Sequence, residues 1–108
     1  MSKPADTPLR LFYVPVPDRE SGKALVSKVM AARLAACANL LGPMLSFYEW
    51  EGEQKEEEEF LLILKTTAEK ETELRAFLEG IHPYDCPCIS SFAVDANTDF
   101  VEWVGKQL

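Results

Sequence analysis

A chain of 108 residues, 47% apolar and 27% charged, has the make-up of one globular domain with room for a real core. Its net charge of −7 argues against a general nucleic-acid binder, which needs a basic face to displace phosphate counterions, and against an anionic membrane surface. No apolar run approaches the roughly 18 residues of a membrane span, and no basic stretch followed by an apolar one suggests a signal peptide.

Residues 1–8, "MSKPADTP", read as a flexible tail before a single domain over 9–108. "LRLFYVPV" (9–16) is too short for a helix and rich in aromatic and branched residues, which predicts a buried strand. Asp18 then offers an N-cap, and Leu25, Val29 and Ala32, with Val26, Met30 and Leu34, recur at helical spacing. That periodicity predicts a helix of about five turns with Cys37 at its end as a small core residue. Residues 38–50 predict a strand broken or bulged at Gly42-Pro43. The polar joint that follows holds Gly52 and the glutamate run Glu56 to Glu59, which reads as a solvated hairpin. "FLLILKT" (60–66) is continuously apolar, as a central strand covered on both faces should be.

A second helix is expected from Thr66 or Thr67, with Thr66 and Glu69 matching a capping box. Leu74, Phe77, Leu78 and Ile81 form its apolar stripe, and Gly80 is placed to end it. His82 precedes Pro83, which biases it away from helical geometry and into a loop. "CISSFAVD" predicts a fourth strand, and "NTDFVEWVGKQL" a closing helix capped by Asn97 or Thr98. The order is strand, helix, strand, strand, helix, strand, plus a C-terminal helix: an α+β, ferredoxin-like split βαβ arrangement with strands one and three central. The long second strand is then an edge carrying Tyr48 and Trp50, and a long aromatic edge is an interface candidate.

The densest chemistry lies in "GIHPYDCPCIS" (80–90), with the only histidine, His82, and two of the three cysteines, Cys86 and Cys88. Borderline and soft donors of this kind suit zinc or copper, with Asp85 as a possible oxygen ligand. The spacing also fits a loop with incidental thiols. A redox pair is less suited, because a C-P-C sequence lacks the two-residue spacer and helix N-terminus that lower a thiol pKa. An odd cysteine count, with two thiols too close to bridge easily, fits a reduced, cytoplasmic setting. Lys65, at the end of a central strand, reads as a residue pointing into a cleft or as a snorkelling surface lysine, and Trp50, Tyr84 and Trp103 read as packing or interface residues. No phosphate loop, nucleotide fingerprint or nucleophile elbow is present, and no carboxylate pair stands out as acid and base.

Several segments together resemble the CutA family, the divalent-cation-tolerance proteins. They are "VPD" (16–18), "RLAACANL" (33–40), "SFYEWEG" (46–52), "EEEFLLILKT" (57–66), "HPYDCPCI" (82–89) and "FVEW" (100–103), in order across nearly the whole chain. The resemblance implies a ferredoxin-like subunit in a compact homotrimer like that of PII signalling proteins. It also implies a non-enzymatic role in tolerance of copper and other divalent cations, with no cofactor required. Where some bacterial members carry a cysteine near the end of strand one, this chain has Val14, and where they carry a histidine before the His-Pro pair it has Ile81. His82 remains, and Cys86 and Cys88 are this chain's own additions and its candidate replacement ligands. A PII-like ligand-binding or signalling trimer, with Lys65, Tyr84 and Trp50 lining its clefts, is the alternative.

Overall fold

The sheet is built around β1 (Leu9–Val16), which pairs antiparallel with β3 (Glu53–Thr67) on one side and β4 (Ser90–Val94) on the other. β2 (Cys37–Trp50) adds to the outer side of β3, so the order is β2-β3-β1-β4. Helices α1 (Arg19–Ala31) and α2 (Glu71–Ile81) make the two crossovers, and α3 (Thr98–Gln107) closes the chain. This is the ferredoxin-like βαββαβ plan with an added helix, and the expected central and edge strands are borne out. The computed structural model describes residues 9–108; the tail expected at 1–8 lies outside the described residues.

One face of the sheet is dry. Phe12, Val14, Val16, Leu62 and Leu64 meet Leu25 and Val29 of α1 and Leu74 and Leu78 of α2, all buried. Burying each such side chain stabilises the fold by about 1.5–3 kcal/mol before chain entropy is counted. A smaller cluster of Leu9, Ala36 and Val104 seats α3.

Three local expectations are corrected. α1 stops at Ala31 rather than running through the alanines to Cys37. Arg33 adopts φ 54° and the Leu34 amide reaches back to the Val29 carbonyl, a left-handed helix stop. Beyond it Leu34, Ala35 and Ala36 are buried, and the Ala36 amide bonds the Lys65 carbonyl, so pairing to the sheet overrides alanine's helix preference. Cys37 therefore opens β2, half-buried. Thr66 forms no capping box: it is fully buried in β3, and its hydroxyl donates to the Leu34 carbonyl at 2.7 Å. A 3-10 turn, Ala68–Lys70, leads into α2 instead, and Gly80 lies inside that helix, which ends against His82. The Asp18 cap is present as expected, accepting from the Ser21 amide at 2.7 Å.

Two features of the β2–β3 ribbon prepare the site. β2 gains one residue between Leu41 and Met44, so Leu41 faces Leu61 while Met44 faces Glu59. Gly42 sits in this bulge at φ 149°, with the Phe60 ring too close for a side chain. Directly opposed residues share a sheet face, so the extra residue puts Met44, Ser46, Tyr48 and Trp50 on the face of Lys55, Glu57 and Glu59. The ribbon is also long. β1 covers β3 only from Phe60 to Thr67, so Glu53–Glu59 pair with β2 alone. Glu51 and Gly52, at φ 51° and 82°, form the two-residue turn at its tip.

Candidate functional site

Where β1 ends, the β2–β3 arm and the connection from α2 to β4 enclose a cleft of about 480 Å³. Its lining is Pro15 from β1, Tyr48, Glu49, Trp50 and Glu59 from the arm, and Tyr84, Asp85, Cys86 and Cys88 from the connection. The volume lies in the range of small-ligand sites. Glu49, Glu59 and Asp85 give the walls carboxylates, and among the described residues no lysine, arginine or histidine contributes to the lining.

His82 holds the connection in place. Its Nδ1 accepts from the Tyr84 amide at 3.1 Å, which leaves the ring proton on Nε2 to donate to the Pro15 carbonyl at 2.9 Å. The ring is buried and tilted against Tyr84, with centroids 5.0 Å apart. Both nitrogens are engaged, so a metal at His82 must first displace one of these bonds. Tyr84 in turn donates its hydroxyl to Glu59 at 2.7 Å. Burial, then the hydrogen bond and charge of Glu59, push the Tyr84 hydroxyl far above the ordinary tyrosine value of 10. It is thus a fixed neutral donor. The Tyr48 hydroxyl is also pushed up, by loss of surrounding water and then by Glu57.

Cys86 and Cys88 are free and exposed in the same wall, and Cys88 Sγ lies 3.3 Å from the Ser90 hydroxyl. The structure therefore brings Tyr84, Trp50, Cys86 and Cys88 to one cleft and leaves the His82 ring behind them as an anchor. Among the described residues, no three histidine, cysteine or acidic side chains converge closely enough to hold one metal ion. Lys65 does not line the cleft: its ammonium donates to Asn39 Oδ1 at 3.1 Å. It lies six residues from Glu59 along β3, which is ~20 Å of strand. The sequence reading missed Glu59, assigned above to a solvated hairpin. It is buried, and its position directly before the apolar run at Phe60 was the available signal.

A ferredoxin-like domain with a cleft at the arm that combines carboxylates, thiols and aromatic walls has the features of a binding site, and the chain's negative charge favours cations. The chain belongs to the CutA1 divalent ion tolerance protein family, whose profile matches residues 10–107. The divalent-cation tolerance protein CutA of Pyrococcus horikoshii is 39% identical over 95 residues, 87% of this chain and 92% of that protein. The chloroplastic CutA of Arabidopsis thaliana is 36% identical over 98 residues; this chain spans 90% of itself there but only 54% of that longer protein. The crystal structure of the divalent ion tolerance protein CutA1 from Ehrlichia chaffeensis superposes with a TM-score of 0.90 at 31% identity, over 95% of this chain and 97% of that one.

Proposed function

We propose that this protein is a non-enzymatic, homotrimeric module that binds divalent cations, copper foremost and zinc as the second candidate, in metal tolerance within a reducing cytoplasm. The observation that carries the reading is the cleft lining: Glu49, Glu59, Asp85, Cys86 and Cys88 with no basic side chain among them. Cys86 and Cys88 are its metal donors, and His82 holds the connection that presents them. A reducing compartment keeps both as thiols, and no helix among the described residues is long and apolar enough to cross a membrane.

Assembly is supported by the arm. A two-stranded ribbon is at best marginally stable alone, yet here it exposes Leu45 at 59% and Phe47 at 67%. On the open sheet face Tyr13, Leu41 and Phe92 are exposed as well. Exposed apolar surface on an unpaired edge marks an interface, and a trimer of arms would cover it. Equilibrium dialysis against copper(II), zinc(II) and calcium(II), read by elemental analysis, tests the function. Stoichiometric copper or zinc supports it; no retained metal overturns it.

The second reading, a PII-like trimer that binds a small molecule, is favoured by the cleft volume and the Tyr48, Trp50 and Tyr84 walls. Its carboxylates oppose a nucleotide or other anion. A thermal shift with nucleotides and none with metal ions would select it.

A further inference from the structure

Glu59 is only 9% exposed and lines the cleft, yet among the described residues no ion pair reaches it. Its partner is the neutral Tyr84 hydroxyl at 2.7 Å. A buried charge is ordinarily matched by an opposite one, because the solvation lost on burial has to be recovered. Lys55, which shares a sheet face with Glu59, donates instead to Glu53 at 3.1 Å. Asp85 lines the same cleft and adds to the negative field.

The other walls are aromatic. Tyr48 and Trp50 stand at alternate positions of β2, on one face of the ribbon, and Tyr84 lines the cleft from the connection between α2 and β4. Aromatic faces attract cations through the ring quadrupole, tryptophan most strongly. Donation of the Tyr84 hydroxyl to a carboxylate shifts electron density towards its ring and reinforces that attraction. We infer that the cleft holds a small organic cation, a quaternary or methylated ammonium group, with its charge against Glu59 and its methyl groups against Tyr48, Trp50 and Tyr84. Such a cation is weakly hydrated and needs no tight set of donor atoms, and among the described residues no such set is present. The cleft of about 480 Å³ has room for a small molecule carrying that group. This deepens the proposed function: it rests on the cleft being a cation site and names a further class of cation for it.

The experiment titrates choline chloride into the full-length protein by calorimetry. The control ligand is its uncharged tert-butyl isostere, in which carbon replaces the ammonium nitrogen. Choline should bind about tenfold or more tightly than the isostere, since only the charged form gains from the rings and the carboxylate. Trp50→Ala should weaken choline binding by about fivefold or more, and Trp50→Phe should restore part of it. Glu59→Gln keeps the shape and an acceptor for Tyr84, and should weaken binding by removing the charge. Trp103→Ala, whose ring stacks on Phe100 in α3, should leave it unchanged. Equal binding of the isostere overturns the inference, as does full affinity in Trp50→Ala or Glu59→Gln. No choline binding, with metal retained in the dialysis described above, overturns this inference alone; neither choline nor metal bound overturns the cation site as well.

Discussion

The Tyr84–Glu59 hydrogen bond ties the connection that carries the thiols to the β2–β3 arm, so its strength measures how firmly the cleft is built. The bond is 2.7 Å long and its acceptor belongs to Glu59, a residue only 9% exposed. A hydrogen bond to a charged group is worth about 1.5–3 kcal/mol, and removing its donor leaves the charge poorly satisfied. Water reaches the open side of the cleft and recovers part of that loss, which places the expected coupling at about 2 kcal/mol. The assay is a double-mutant cycle of Tyr84→Phe and Glu59→Gln by urea unfolding at one protein concentration, since the proposed assembly would contribute to stability. With a urea slope of about 2 kcal/mol per molar, Tyr84→Phe lowers the midpoint by roughly 1 M. The raised hydroxyl value sets the pH behaviour: the contribution is fully present below the ordinary tyrosine value of 10 and is lost only as pH rises through the higher folded value. A coupling below about 0.5 kcal/mol, the scatter of independent sites, refutes the reasoning.

Thr66→Val keeps the shape of a fully buried side chain and removes its bond to the Leu34 carbonyl. It should cost about 1–3 kcal/mol in urea unfolding, and an unchanged midpoint contradicts that bond. Gly42→Ala should destabilise by about 1–3 kcal/mol, because φ is 149° and a Cβ would lie 3.0 Å from the Phe60 ring; an unaltered melting temperature contradicts the bulge as described. Ser91, then Arg10, hold the Glu71 carboxyl below its ordinary value of 4.5, by hydrogen bonds and, for Arg10, charge. That stability is present above the ordinary value and fades as pH falls through the lower folded one. Ser91→Ala should therefore lower stability at neutral pH and flatten its fall in acid, and an identical acid profile contradicts the assignment. If the proposed trimer buries the arm's exposed aromatics, Trp50→Ala should weaken it in sedimentation, and an unchanged sedimentation coefficient contradicts a place for Trp50 in that interface.

The architecture was legible because pattern and tertiary demand agree over most of the chain. "FLLILKT" is apolar at every position but Lys65 and Thr66, and it lies centrally between two partner strands as expected. Only its Leu62, Leu64 and Thr66 are buried, so the expected cover on both faces is met on one. His82 was correctly read into the loop from its following proline. The misreadings fall where tertiary pairing outweighs local preference. Leu34 to Ala36 look helical but are held against β3, and Thr66 looks like a cap but spends its hydroxyl across the fold. The site was legible in part. Tyr84, Trp50 and the two cysteines stand out by type, and the structure brings them together. Glu59 did not, because its burial depends on the bulge at Gly42 and on a tyrosine 25 positions away. Lys65 stood out by type and belongs to another part of the sheet.

The central claim, that the cleft walled by Cys86 and Cys88 is the cation site of this CutA-family chain, is tested most directly by anomalous diffraction from crystals grown with copper under reducing conditions. The account predicts an anomalous peak in the cleft beside the two sulfur atoms. A peak elsewhere with the cleft empty, or none at all, would contradict it.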